Sequence, residues 1–197
     1  MSKTFNPFPG LRSFRTDEKY LFFGREEHTA ELLRRLRQTR FLAVVGTSGS
    51  GKSSLVKAGV LPELHKGTMT RAGSSWEVVV MRPGGSPMTN LALALIEADL
   101  YDAEQPDVID QVRATLSRSR HGLSEAARQS DLDEGANLLV VVDQFEELFR
   151  FRRGGAEQDQ AEAVRFVQLP ILQHALMRTW NQWAQVETPI VVLLLAH

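Results

Sequence analysis

Phe41-Leu42-Ala43-Val44-Val45-Gly46-Thr47-Ser48-Gly49-Ser50-Gly51-Lys52-Ser53 is an apolar run that empties into the pattern G-x-x-x-x-G-K-S. A strand feeding such a loop, with a helix after it, marks an α/β nucleotide fold. The loop must turn its backbone N–H groups inward on a polyphosphate. Gly46, Gly49 and Gly51 are expected to supply the positive φ and close backbone approach that this requires. Thr47, Ser48, Ser50 and Ser54 complete the set of expected phosphate-site residues. Lys52 is expected to reach the β- and γ-phosphates as a point charge, and the Ser53 hydroxyl to ligate Mg2+. The following helix adds the partial positive charge of its N-terminus. A Gly/Ser turn with a solvated lysine is the alternative. A chance match to the fixed positions has odds on the order of one in a hundred, and the strand-before, helix-after context lowers them.

The chain of 197 residues, 43% of them hydrophobic, is long enough for one α/β domain with a core of its own. Its 23 basic and 24 acidic residues leave a formal net charge of −1, so no electrostatic footprint for nucleic acid or an anionic membrane is expected. The absence of cysteine excludes disulfides, thiolate metal sites and cysteine nucleophiles. Met1 to Pro7 carries no apolar signal region, and the longest apolar run, 189–196, is too short to span a bilayer. A soluble cytoplasmic protein is expected.

Outward from the loop, periodicity predicts helices over about 25–38, 52–58, 89–100 and 107–118, and strands over 76–81, 137–143 and 190–195. Gly59 and Pro62 are expected to stop the helix that begins at Lys52. Residues 118–136 read as a solvated helix plus loop, and 157–185 as a long helix broken or kinked at Pro170. Residues 1–24 carry Phe5, Phe8, Phe14, Tyr20, Phe22 and Phe23, too many large apolar groups for a disordered tail, and are expected to pack on the core. The predicted fold class is α/β of the P-loop NTPase type, a parallel sheet of about four strands covered by helices on both faces. The expected division is 1–24 as the N-terminal segment, 25–153 as the ATPase core, and 154–197 as a helical segment and final strand.

Leu138 to Val142 end in Asp143, so the strand presents a carboxylate at its C-terminal edge, where it can hold the Mg2+ hydration shell. Asp143 with Glu146 also satisfies the spacing of a helix cap, and both readings stand at this point. A hydrolase further needs a group to orient water. The position after Asp143 is Gln144, which leaves Glu146 and Glu147 as candidates. No N-K-x-D or T-K-x-D guanine reader exists, so ATP is expected rather than GTP. His28, His65, His121, His174 and His197 lack metal-ligand spacing. Trp180 and Trp183 read as core.

Pro9-Gly10-Leu11-Arg12-Ser13-Phe14, Phe22-Phe23-Gly24-Arg25-Glu26, the segment 41–59, Met81-Arg82-Pro83-Gly84 and Val142-Asp143-Gln144-Phe145-Glu146-Glu147-Leu148-Phe149 together resemble the novel STAND NTPase family. The resemblance implies a nucleotide-controlled switch domain of a signalling ATPase, with other protein domains or self-association as partners. It also implies that Gly24 and Arg25 lie near the adenine. Leu169 to Trp180 resembles a segment that the family places beyond the ATPase sheet, in its lid region, and the strand at 190–195 ends where a basic sensor is expected to follow. An incomplete lid and slow or impaired ATP hydrolysis are the corresponding expectations. The alternatives are a non-catalytic scaffold derived from such an ATPase and a small-molecule kinase, for which Arg150, Arg152 and Arg153 are the relevant side chains.

Overall fold

In the computed structural model, β1 (Phe41–Val45), β2 (Trp76–Met81), β3 (Asn137–Val142) and β4 (Ile190–Ala196) are parallel and lie in the order β1-β4-β3-β2. The described residues are 10, 12–39, 41–66, 75–148, 157–167 and 190–196. The last strand of the chain is therefore inserted between β1 and β3, with its residue Val192 opposite both Phe41 and Val140. This mixed helix and strand arrangement on a small parallel sheet fits an α/β NTPase-like fold.

The apolar run of β3 is continuous because both of its faces are covered, whereas Ala43 and Val45 of β1 and Val80 of β2 are exposed. Leu138, Val140 and Val142 join Val79 and Met81 on one face, packed with α4 (Pro87–Glu97), α5 (Val108–Arg118), α6 (Gly122–Gln129) and α7 (Glu157–Val167) through Leu91, Leu95, Leu116, Leu123 and Phe166. Leu139 and Val141 point the other way, onto Leu33 and Leu36 of α1 (Glu26–Gln38) and onto Val56, Val60, Leu61 and Leu64. Each such fully buried side chain stabilises the fold by about 1.5–3 kcal/mol.

Three local expectations change. The helix that begins at Lys52 does not stop at Ala58: it continues as α2 (Lys52–Ser54), a π-helical stretch (Leu55–Val60) and α3 (Leu61–His65). Gly59 is buried inside the π-helical stretch, and Leu61 donates its N–H five residues back, to Val56 O. The wider turn just before Pro62 accommodates a ring that clashes with the i−4 carbonyl of a regular helix. Second, α4 starts at Pro87, a favourable first helical position, and ends at Glu97 before Asp99, whose φ is +56°. Third, the stretch 118–136 is not simply solvated, since α6 buries Leu123, Ala126 and Ala127 against α5. Charged residues around an apolar stripe masked that face. The expectations for Phe5, Phe8, Phe149, the three arginines at 150, 152 and 153, and residues 168–189 with Pro170, His174, Trp180 and Trp183 lie outside the described residues, as does His197.

The N-terminal segment forms a 3-10 helix, Thr16–Leu21, against the π-helical stretch. Phe14 and Phe22 meet edge-on with ring centroids 5.8 Å apart, while Tyr20 and Phe23 remain 55% and 75% exposed. Arg12 donates to both carboxylate oxygens of Glu18 at 2.7 and 2.5 Å. These bonds, with the Arg15 amide, hold the Glu18 carboxyl down at about 2.

A Cβ at Gly59 would stand 2.6 Å from Thr29 Oγ1 of α1. Gly→Ala inside a helix ordinarily stabilises by up to about 1 kcal/mol, but here overpacking is expected to reverse the sign and cost about 1–3 kcal/mol. In a Thr29→Ala background the same Gly59→Ala change should become neutral or stabilising. Urea unfolding of the four proteins measures this, and a stabilising Gly59→Ala in the unaltered background would refute the close packing.

Candidate functional site

The Gly46–Ser53 loop folds around the ammonium of its own lysine. Lys52 Nζ donates to Gly46 O at 2.7 Å and Thr47 O at 2.9 Å, and lies 3.4 Å from Ser50 Oγ. Gly49 and Gly51 take φ of +75° and +83°, as a loop with inward amides requires. Gly46 does not: its φ is ordinary, and a Cβ there would lie 3.1 Å from Ser50 Oγ and 3.8 Å from the Lys52 side chain. Close approach, not handedness, is what suits glycine to that position. Thr47, Ser48 and Gly49 form the exposed rim. Ser54 Oγ accepts the Phe14 N–H at 3.1 Å, so the hydroxyl after Ser53 ties the N-terminal segment to the helix.

Asp143 follows β3 directly, and its own amide donates to Met81 O on β2 at 2.8 Å. Its side chain is 2% exposed. Ser53 Oγ donates to Asp143 Oδ1 at 2.7 Å across 90 positions of sequence, and Lys57 Nζ donates to Oδ2 at 3.0 Å. Arg82, past the end of β2, brings a guanidinium nitrogen to 3.9 Å from the same Oδ2. Both carboxylate oxygens are thus directed at the helix after the loop, whereas a helix cap would direct one at the chain after Asp143. A hydroxyl and a carboxylate held together form an all-oxygen donor pair of the kind a hard divalent cation takes. Among the described residues no group of three or more His, Cys, Asp and Glu is gathered, so further ligands would have to come from phosphate and water.

The two glutamates beyond Asp143 differ. Glu147 Oε2 accepts the Gly84 N–H at 3.1 Å, bracing the 82–86 loop. Gly84 sits at φ +54° with Asn90 against it, and Asn90 donates to Pro83 O at 2.8 Å. Glu146 buries its Oε2 atom in the turn after Asp143. Between them and Asp143 lies Gln144 at φ +59°, a left-handed conformation that is rare for a side chain of this size.

Arg25 precedes α1 and donates from its guanidinium to Ser50 O at 3.0 Å. Gly24, at φ +77°, gives its N–H to Glu26 Oε1 at 3.0 Å. The Glu26 amide and that of Gly24 hold the Glu26 carboxyl below its ordinary value. A cavity of about 460 Å³ opens beside Arg25, walled by Tyr20, Phe22, Thr29, Ala58 and Glu63. One arginine therefore touches both the cavity and the loop.

Sequence reading passed over Lys57 and gave Arg82 no role in the site. The signal for Lys57 was available, since it stands four residues after Ser53 on the same helix and shares its face. No described helix is long and apolar enough to cross a membrane. The family model for Novel STAND NTPase 1 matches residues 7–169. No curated protein matches the chain.

If Glu147 braces the loop after β2, Glu147→Ala should cost about 1–3 kcal/mol by leaving a partly buried amide without its acceptor. Glu147→Gln, which keeps an acceptor oxygen, should cost much less. Denaturant midpoints read the difference, and equal midpoints for the two variants would exclude the bracing role.

Proposed function

The chain belongs to the Novel STAND NTPase 1 family, and from that premise we propose that this nucleotide-binding NTPase domain is an ATP-dependent switch with slow Mg2+-dependent hydrolysis. One observation carries the reading: Ser53 and Asp143, far apart in sequence, meet at 2.7 Å beside the Gly46–Ser53 loop. In this reading the amides of Gly46 to Ser53 and the Lys52 ammonium bind the β- and γ-phosphates. Ser53 and Asp143 would hold Mg2+, and the ion would supply charge neutralisation to the phosphates. The base lies toward the cavity beside Gly24 and Arg25. Arg25 favours this because its bond to Ser50 O fixes the cavity wall relative to the phosphate positions.

Slow turnover follows from the groups around Asp143. The next residue is Gln144, which cannot take a proton from water, and Glu147 is engaged by the Gly84 amide. Glu146 is then the group assigned to orient the attacking water. Other protein domains or further copies of the chain are the expected recipients of the switch. Its parts are 1–24, 25–153 and 154–197, with the strand of the last part completing the sheet of the second.

Thermal unfolding with ATP, ADP or GTP plus Mg2+ tests the reading. At a hundred times Kd, ATP and ADP should stabilise the wild type by about 2.7 kcal/mol, with a smaller effect of GTP and none in Lys52→Ala. Phosphate release should be slow in the wild type and lost in Glu146→Gln, with ATP binding retained. No shift with any nucleotide would remove the switch and leave the scaffold alternative; a shift without phosphate release would leave binding without turnover.

A further inference from the structure

Asp143 already has a cation. Lys57 Nζ sits 3.0 Å from Oδ2, with the Asp143 side chain 2% exposed and that of Lys57 22% exposed. Arg82 is too far, at 3.9 Å, to share that bond directly, and its side chain is 57% exposed. The second carboxylate oxygen belongs to the Ser53 hydroxyl at 2.7 Å. Lys57 is thus the nearer of the two cations at this buried carboxylate among the described residues and the one hydrogen-bonded to it, and it comes from the helix that carries Ser53.

We propose that Lys57 is the resident counter-ion of Asp143 and makes divalent metal binding conditional on nucleotide. The inference rests on the metal role proposed above for Ser53 and Asp143. A divalent cation arriving alone meets a carboxylate whose charge is already matched, and must displace the ammonium from Oδ2 while adding two positive charges beside it. Like-charge repulsion in a partly dehydrated site opposes this. A metal arriving with a polyphosphate brings its own negative charge, and the displaced ammonium then has phosphate oxygens to face. The four-carbon stem of lysine gives the ammonium freedom to move aside, and its partial exposure offers water on the far side. Lys57 is a positioning residue that regulates the order of binding; it touches no reacting atom.

The test titrates nucleotide-free protein with Mn2+, reading free Mn2+ by electron paramagnetic resonance, for wild type, Lys57→Gln and Lys57→Arg. Calorimetry with ATP and Mg2+ on the same proteins reads nucleotide binding separately. Lys57→Gln keeps a hydrogen-bond donor and loses the charge. It should bind Mn2+ without nucleotide at least tenfold more tightly than wild type, while Lys57→Arg stays as weak as wild type. Equal Mn2+ affinity of wild type and Lys57→Gln, with ATP binding intact, would overturn the counter-ion role alone. Absence of ATP binding by the wild type would overturn the nucleotide reading, and this proposal with it. Should Lys57→Gln not fold, the double variant Lys57→Gln/Asp143→Asn decides: recovery of the fold supports the pairing, and failure to recover refutes it.

Discussion

A carboxylate that is 2% exposed has to be matched by charge and hydrogen bonds, and at Asp143 this requirement organises the site. Ser53 and Lys57 satisfy it from one helix, one turn apart, and so fix that helix against the end of β3. Removing one partner of a buried pair costs about 3–5 kcal/mol because the other charge is left stranded. The value of the arrangement is therefore less in net stability than in specificity: the loop can be followed only by a helix whose Ser53 face points at β3. The loop, the helix and the carboxylate are one unit, although the sequence separates them.

Strand order explains how they meet. β1 delivers the loop and β3 delivers Asp143, but β4 lies between them, so their axes stand two strand spacings apart, roughly 9–10 Å. Ser53 spans that gap from the start of the helix that follows the loop. The site therefore depends on a strand that contributes none of the residues assigned to it. The same helix bonds the N-terminal segment through Ser54 and Phe14, and its buried Gly59 lets α1 approach through Thr29. One rod thus connects the loop, Asp143, the cavity wall and the N-terminal segment.

What the sequence made legible follows from what acts locally. Asn137–Val142 reads as a strand because burial on both faces removes any polar alternation, and Phe41–Val45 reads as one because a short apolar run empties into the loop, although Ala43 and Val45 are exposed. Gly49 and Gly51 read as loop glycines because positive φ is a property of single residues. Gly46 was harder, since its constraint is a neighbour, Ser50, and not its own φ. The helix past Ala58 was lost because glycine and proline are helix breakers on average, whereas here a π turn and a tight contact with α1 make both residues fit. The position of β4 between β1 and β3 was not legible at all, because strand order arises from crossovers that leave no periodic trace. Lys57 was legible only in principle: its spacing from Ser53 is local, but its meaning depends on Asp143 arriving from another strand.

A ligand switches a protein only through groups whose partners differ between the bound and unbound arrangements. In the proposed switch, two lysines of the helix are the groups that would exchange partners. Lys52 donates to Gly46 O and Thr47 O, and Lys57 to Asp143 Oδ2, so both ammoniums have partners within the protein itself. Phosphate would compete with carbonyls for the first and, through metal, with a carboxylate for the second. Both lysines stand on the rod that Ser54 ties to Phe14 and whose Ala58 and Gly59 line the cavity. In the proposed switch, the free-energy difference between two arrangements would be set by charge exchange at two positions five residues apart and carried by this helix, because β3 in the sheet beside it is held by burial on both faces.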